Sequence, residues 1–364
     1  MHNEQSILEI IEKTNARREA RRAFMRTATL GAAAVGGLSL LAACGDDNNN
    51  NGGSTSTPTP TPTTAVSVDF QVLNFALQLE YLEAQFYSYA AFGVGLPASS
   101  LDGVGNRGDV QTGSGAGFPR QVDFSGDPVI GQYAREIALD EINHVNFLRT
   151  ALGASRAAQP AINISGDVSG SFTAAARAAG VIANTATTTF DPYASPTNFL
   201  IGAYIFEDVG VTAYKGASPL LSATYLEAAA GILAAEAYHA GLVRTILYAR
   251  GVTTASLITT AQQISNLRDT ADGRTVGSNF AGATSPDGTT GTAGDRDQGI
   301  GGTNIGVLAT GVSNIVPTDA NGIVYSRSPA DVLNIVFLTP TSTSSGGFFP
   351  AGVNGSFTVS GANS

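Results

Sequence analysis

The sequence predicts an all-α core arranged as an antiparallel four-helix bundle, with a long crossover between the second and third helices. Four long segments carry apolar residues at helical spacing, and residues 153–194, between the second and third of them, are enough chain to cross the bundle. After residue 271, Gly, Thr, Ser and Asp dominate the composition. We therefore predict a bundle over residues 67–271 and, over residues 272–364, an irregular Gly/Thr/Ser-rich extension that coats it.

The first 43 residues have the composition of an export signal. A charged stretch ends in Arg21-Arg22-Ala23-Phe24-Met25-Arg26, which resembles a twin-arginine signal, and small and apolar residues follow as far as Ala43. Cys44, the single cysteine, ends a stretch that resembles a bacterial lipobox, Leu41-Ala42-Ala43-Cys44. We predict a twin-arginine-type lipoprotein signal over residues 1–43 and a bacterial lipoprotein, held at a membrane by lipidated Cys44 on the periplasmic or cell-surface side. The alternatives are a short hydrophobic core helix and a free thiol.

Residues 44–66 predict a disordered tether. They contain an Asn run and Thr-Pro repeats, with too little apolar surface to offset the entropy lost on ordering.

The charge of the chain excludes a nucleic-acid partner in our interpretation. The net charge is −10, and residues 1–43 carry six basic and four acidic side chains, so the remainder is near −12. Phosphate binding needs a clustered basic surface instead.

Each bundle helix is predicted from its own pattern. The bundle helices are expected over residues 68–92, 128–152, 196–215 and 221–250. In the first, apolar residues three or four positions apart share one helical face. They are Phe70, Leu73, Leu77, Tyr81, Ala84 and Tyr87. Gly251 stands where a helix C-cap is expected. Shorter helices are predicted over residues 172–180, 254–270 and 330–337.

Two histidines outside the export signal occur in the same short motif. One motif is Glu141-Ile142-Asn143-His144 and the other is Glu236-Ala237-Tyr238-His239. Residues three apart lie on one helical face, so each motif presents a carboxylate and an imidazole to the same point. A single motif of this kind is weak evidence, because it is common on solvated helix faces.

The surroundings of the two motifs repeat as well, which indicates an internal duplication. Arg-Thr follows each histidine five residues later, as Arg149-Thr150 and Arg244-Thr245. In the preceding helices, Glu80 and Glu207 are each followed seven residues later by a tyrosine, Tyr87 and Tyr214. The chain therefore contains twice a pair made of a Glu helix and a Glu-x-x-His helix.

The apolar setting of these acids points to cations. Glu80 and Glu207 lie among apolar and aromatic residues, where an isolated carboxylate would be expensive to bury. Four carboxylates converging on two imidazoles are reasonable when metal ions compensate them. Mixed oxygen and nitrogen ligands suit iron or manganese, with zinc as a competitor. We predict two such ions as cofactors.

The chain resembles the ferritin-like superfamily, and more closely the exported ferritin-like domain proteins that include plant desiccation-related proteins. Four stretches carry the resemblance. They are Leu73-Asn74-Phe75-Ala76-Leu77-Gln78-Leu79-Glu80-Tyr81-Leu82-Glu83, Asp140-Glu141-x-x-His144, Phe206-Glu207-Asp208-Val209-Gly210 and Gly346-Gly347-Phe348-Phe349-Pro350. The resemblance implies that Glu80, Glu141 and His144 hold one ion. It implies that Glu207, Glu236 and His239 hold the other, and that Glu141 and Glu236 are bridges.

Several neighbours are candidates for supporting roles. Glu83 competes with Glu80 as a ligand, but the tyrosine seven residues further on favours Glu80. Asp140 is either an acceptor for the outer N–H of a ligand histidine or an exposed acid. Tyr87 and Tyr214 are core aromatics or donors to a ligand carboxylate. We expect Arg149 and Arg244 to be surface or bundle-end charges.

Two functions remain in competition at the level of sequence. The first is a di-iron or di-manganese protein that reacts with oxygen or peroxide outside the cytoplasm. The second is a non-catalytic surface or desiccation and stress-protection scaffold with a structural or vestigial metal site. The superfamily hosts several activities on the same ligands, so the resemblance does not choose between them. The oligomeric state, the substrate and the electron donor stay open.

Overall fold

The computed structural model describes residues 66–273, 299–301, 313–319 and 321–362. Within these residues the regular structure is helical, with isolated bridges but no β-strand. The helices are α1 (Val68–Phe92), α2 (Pro128–Leu152), α3 (Ser171–Ala178), α4 (Pro196–Ala217), α5 (Ala223–Gly251), α6 (Ser256–Ala271) and α7 (Pro329–Val336). The predicted all-α class is confirmed. The predicted export signal and Cys44 lie outside the described residues, and none of the described helices has the length and apolarity to cross a membrane.

Local sequence determines where the bundle helices begin and end. The Ser67 hydroxyl accepts a hydrogen bond from the Phe70 amide and caps α1, and Ser195 does the same for α4 ahead of Pro196. Gly93 ends α1 with φ of 76°, a left-handed conformation that glycine adopts without strain. Gly251 was predicted as a C-cap but is the last residue of α5; a Cβ there would lie 2.5 Å from Ile258 Cγ1, so glycine allows α6 to pack closely.

Contacts at the helix ends confirm the antiparallel bundle. The Asn74 side chain, near the start of α1, donates to the carbonyl of Ser155, just past the end of α2. Arg250, at the end of α5, contacts both Asp127 at the start of α2 and Thr197 in the first turn of α4. Helices α2 and α4 therefore start at the same end of the bundle, as the predicted crossover requires.

Helix α1 is buried on nearly all its faces, although its sequence pattern predicted one apolar face. The reason is that the crossover packs against its outer side. Gln78 donates to the carbonyl of Ala158, and Gln85 donates to the side chain of Gln159. The polar residues of α1 thus face a second layer of protein rather than water, and they satisfy backbone groups of a buried connection.

The described part of the C-terminal extension packs against α1 and α4. The centroids of the Phe348 and Phe206 rings lie 4.9 Å apart, and the Arg327 amide donates a hydrogen bond to the Thr212 carbonyl. Gly216 permits this approach, because a Cβ there would lie 2.0 Å from the Arg327 carbonyl oxygen. For residues 274–298 and 302–312, which lie outside the described residues, the coat stays a prediction.

Candidate metal centre

The bundle brings all six predicted ligand residues together in its core. Helices α1 and α4 supply one glutamate each, and α2 and α5 each supply a glutamate and a histidine. They are Glu80, Glu141, His144, Glu207, Glu236 and His239. Five of the six are at most 6 % exposed, and the side chain of the sixth, His144, is 12 % exposed. The spacing of three residues puts each Glu-x-x-His pair on the inward face of its helix.

The ligand atoms form two overlapping groups. In each, the candidate ligand atoms all lie within 4.8 Å of one another. The first group is Glu80, Glu141, His144 and Glu236, and the second is Glu141, Glu207 and His239. Glu141 belongs to both groups, which is the position expected of a bridging carboxylate. Glu236 belongs to the first group alone and not to the group of Glu207 and His239, with which the resemblance placed it, so its bridging role stays a prediction.

Both imidazoles point their Nδ1 atoms at the carboxylates. His144 Nδ1 lies 3.2 Å from Glu80 Oε2 and 3.4 Å from Glu141 Oε2. His239 Nδ1 lies 3.1 Å from Glu141 Oε1 and 3.6 Å from Glu207 Oε2. The two rings are 6.5 Å apart between centroids. The arrangement is approximately two-fold, with Glu141 between the histidines.

The donor set fits metal ions. Both oxygens of Glu141 and of Glu236, Oε2 of Glu207 and Nδ1 of His239 are buried and accept or donate no hydrogen bond. Buried polar atoms without hydrogen bonds cost free energy, and here they converge on a common space. Carboxylate oxygen with imidazole nitrogen is a donor set for iron, manganese or zinc. These residues therefore fit a dinuclear metal site.

Without metal, the cluster holds protons in the place of cations. Burial raises the pKa of Glu80 to about 7 and that of Glu207 to about 8, and it raises the pKa of Glu236 well above its usual range. Burial disfavours a charged imidazole, but the neighbouring carboxylates outweigh it and raise the pKa of His144 to about 11 and that of His239 to about 9. Burial opposes ionisation of Glu141, yet its two histidine neighbours hold its pKa below the usual range.

The two tyrosines of the duplication cross between the repeats. The hydroxyl of Tyr87 on α1 donates to Glu207 Oε1 on α4, and that of Tyr214 on α4 donates to Glu80 Oε1 on α1. Each hydrogen bond occupies one oxygen of its glutamate. The second oxygen of that glutamate faces a histidine. The tyrosines thus orient the carboxylates of the opposite repeat.

Asp140 and Glu83 take different places around the cluster. Asp140 Oδ2 lies 3.2 Å from His239 Nε2, the ring nitrogen that faces away from the carboxylates. Glu83 is buried but belongs to neither group of ligand atoms. Burial raises its pKa well above the usual range, and Glu141, Glu207 and Glu80 add to this effect. Burial therefore favours the protonated form of Glu83 in the metal-free protein.

The position that matches Glu83 in the second repeat is Gly210. Each residue lies three positions after the glutamate of its helix. A Cβ at Gly210 would lie 2.1 Å from Glu236 Oε2, so only glycine leaves room for this carboxylate against α4. The two repeats are therefore unequal at this position. The first has an additional acid, Glu83, and the second has Gly210, whose missing side chain leaves the space that Glu236 occupies.

Arg244 is not the surface charge that the sequence predicted, whereas Arg149 does lie in the last turn of α2. Arg244 is fully buried and donates to both oxygens of Asp208, and Arg268 of α6 donates to one of them. The prediction was wrong because it used position along the helix and ignored α6, which covers this part of α5. An available signal was Asp208 itself, an acid inside an apolar helix that needs a partner.

Comparison with known proteins agrees with the geometry. A family model described as ferritin-like domain matches residues 68–249, half of the chain. The desiccation-related protein PCC13-62 of Craterostigma plantagineum is 27 % identical over 299 residues, covering 79 % of this chain and 83 % of the relative. The ferritin-like catalase Nec2 of Nesocodon mauritianus is 25 % identical over 295 residues, covering 79 % and 84 %. No solved structure gives a significant match.

Fold, ligand spacing and family match now agree. The family match begins at the first residue of α1 and ends inside α5, so it spans the helices that supply the ligands. The predicted relation to desiccation-related proteins is confirmed. The chain belongs to the ferritin-like domain family, and its bundle core carries a buried carboxylate and histidine cluster suited to metal ions.

Proposed function

We propose that this chain is an exported, lipid-anchored ferritin-like protein whose core binds two iron or manganese ions and reacts with oxygen or peroxide. The observation that carries the proposal is the set of buried carboxylate oxygens that accept no hydrogen bond and converge with two histidine Nδ1 atoms. A relative named ferritin-like catalase supports redox chemistry as the outcome. Iron or manganese would supply open coordination positions and a change of oxidation state.

The residues of the chain have separate tasks in this proposal. Glu80, Glu141, His144 and Glu236 would hold one ion, and Glu141, Glu207 and His239 the other, following the two groups of ligand atoms. Tyr87 holds Glu207 in place by a hydrogen bond, and Tyr214 holds Glu80, as partners of metal ligands commonly do. The surrounding aromatic packing excludes water from the α1 and α4 side, where Phe206 contacts Phe348. The histidines and Asp140 lie on the more open side between α2 and α5.

The export part of the proposal is supported by the predicted export signal over residues 1–43. Arg21 and Arg22 precede a small, apolar run that ends at Cys44, as a twin-arginine lipoprotein signal requires. A folded protein exported by that route would carry its metal with it. The supporting experiment is mass spectrometry of the membrane-extracted protein, which should find Cys44 lipidated at a new N-terminus.

Metal content decides the central claim. The full chain, loaded with Fe(II) or Mn(II) without oxygen and then desalted, is expected to retain two ions per molecule by elemental analysis. Glu141→Gln should lower that content because Glu141 belongs to both ligand groups. Glu136→Gln, an exposed site on the same helix, is the matched control. Retention of no metal above background by the folded wild-type chain would refute the proposal.

A non-catalytic protective scaffold is the second candidate. It is favoured by the relative named desiccation-related protein and by the extensive packing of the C-terminal extension on the bundle. The same loaded protein separates the two: metal that raises the melting temperature without oxygen or peroxide consumption supports the scaffold. Turnover that disappears in Glu141→Gln supports the redox protein.

A further inference from the structure

A small apolar cavity lies beside the metal centre, between α1, α2, α4 and α5. Its volume is about 20 Å³. Leu79, Tyr214 and Ala229 line its buried part, and the half-buried residues Leu221, Tyr225 and Ala228 line its outer part. It therefore reaches from near the surface of the bundle towards the core.

The buried part of the cavity adjoins the ligands of one ion. Tyr214 lines the cavity, and its hydroxyl donates a hydrogen bond to Glu80 Oε1. Leu79 lines the cavity and directly precedes Glu80 in α1. A molecule in the cavity would thus be separated from the Glu80 carboxylate by a single side chain.

The duplication shows that this space is particular to one repeat. Eight residues before the ligand glutamate, the first repeat has Val72 and the second has Phe199. Val72 lines the cavity. The larger Phe199 ring takes the matching position in the second repeat, and its centroid lies 5.8 Å from that of the Tyr87 ring. One residue before the glutamate, Leu79 likewise matches Phe206. At these two positions the second repeat has aromatic rings where the first has smaller aliphatic side chains, although other rings, Phe75 and Phe147 among them, also line the cavity.

Size and polarity restrict what the cavity accepts. A cavity needs about 10–15 Å³ by this measure to hold one water molecule, so there is room for one very small molecule. Water also needs two or more polar partners, and apart from two tyrosines the lining is apolar. Hydrogen peroxide has the same need for hydrogen bonds. A small apolar molecule fits on both counts.

We propose that this cavity binds dioxygen and holds it next to the Glu80 half of the centre. The proposal rests on the redox function proposed above and adds the identity of the oxidant and its side of approach. Peroxide, being polar, would instead arrive by the side between α2 and α5, where Asp140 and the histidines lie.

Xenon tests the cavity without any metal. In the metal-free full chain with labelled methyl groups, xenon is expected to shift the NMR signals of Leu79 and Ala229. Val72→Phe, which gives this repeat the residue of the other, should abolish those shifts. Ala229→Val is a milder second variant in case Val72→Phe does not fold, and Ala261→Val, at a buried site of α6 away from the cavity, is its control. Absence of xenon-induced shifts at Leu79 and Ala229 in the wild-type chain would overturn the proposal.

The Fe(II)-loaded chain tests the role of the cavity. Val72→Phe is expected to require a several-fold higher dioxygen concentration for half-maximal iron oxidation, with an unchanged response to hydrogen peroxide. The same dioxygen dependence in the variant and wild type would refute delivery through the cavity, even with xenon bound. Failure of the wild-type chain to bind metal would instead refute the proposed function, while the xenon result would stand by itself.

Discussion

The hydroxyl of Tyr214 donates a hydrogen bond to Oε1 of Glu80, although 134 residues separate them. Tyr87 and Glu207 form the matching pair in the opposite direction. Each half of the duplication therefore orients a glutamate of the other half. A single helix pair would lack both hydrogen bonds, which gives a physical reason for the two copies to pack against each other.

Removing one of these hydroxyls should weaken metal binding more than it weakens the fold. Tyr214→Phe leaves Glu80 without its donor, and loss of such a partner typically costs roughly 10–100-fold in metal affinity. Tyr193→Phe is the control, because its hydroxyl donates to the Ile164 carbonyl within the same core. Both variants should lose about 1 kcal/mol of unfolding free energy in the metal-free state. Competition with a chelator then measures affinity; equal affinities in the two variants would contradict the assigned role of Tyr214.

Metal affinity should increase with pH. In the metal-free chain the pKa values are about 7 for Glu80, about 8 for Glu207 and about 9 for His239, so at neutral pH Glu80 is partly protonated and the other two groups mostly so. Ligands bind metal in their deprotonated form, so uptake must release protons. Titration by calorimetry in buffers of different ionisation enthalpy measures this release, and affinity should fall as the pH decreases from about 9 through about 7. A pH-independent affinity would show that the metal binds elsewhere.

Gly210→Ala should separate stability from metal binding. An added methyl group would lie 2.1 Å from Glu236 Oε2, so the carboxylate must leave its place. Alanine in a helix is favoured over glycine by about 1 kcal/mol, so the metal-free fold should not suffer greatly. Gly231→Ala in α5 meets no neighbour within 4 Å and serves as the control. We expect reduced metal content in Gly210→Ala alone; full metal content there would argue against Glu236 as a ligand.

The buried ion pairs of Asp208 should stabilise the fold at neutral pH and lose effect in acid. Burial opposes its ionisation, but Arg244 and Arg268 outweigh burial and lower its pKa. A lowered pKa in the folded state stabilises above the ordinary value of 3.8, and this contribution disappears as the pH falls through the folded value. Asp208→Asn leaves buried guanidinium groups short of charge, which costs about 3–5 kcal/mol.

The control for Asp208 is an acid on the surface. Asp102 is exposed, and Asp102→Asn weakens its pairs with the less exposed Arg149 and Arg156, so its effect should be smaller. Urea denaturation of the metal-free chains at several pH values measures both variants. If Asp208→Asn were as stable as Asp102→Asn, the pairs of Asp208 with Arg244 and Arg268 would not contribute the stability assigned to them.

The helices and the six candidate ligands were predictable because their signals are local. Periodicity places α1, α2, α4 and α5 within a few residues of their observed ends, and the spacing of Glu141 and His144 shows that they share a helical face. The predictions that failed concerned which residues become buried by neighbouring elements, not where the helices lie. Arg244 became buried because α6 covers it, and α1 is enclosed because the crossover packs over its outer side.

The sequence by itself determined the helical class, the repeated helix pair and which acids and histidines face inward, since these follow from the helical period over a few residues. The tertiary structure alone decided that Tyr214 bonds to Glu80 of the other repeat, that Gly210 makes room for Glu236 and that Val72 leaves a cavity where Phe199 fills one. The physical reason is that these contacts join distant residues, and their geometry depends on how the helices pack rather than on any pattern within one of them.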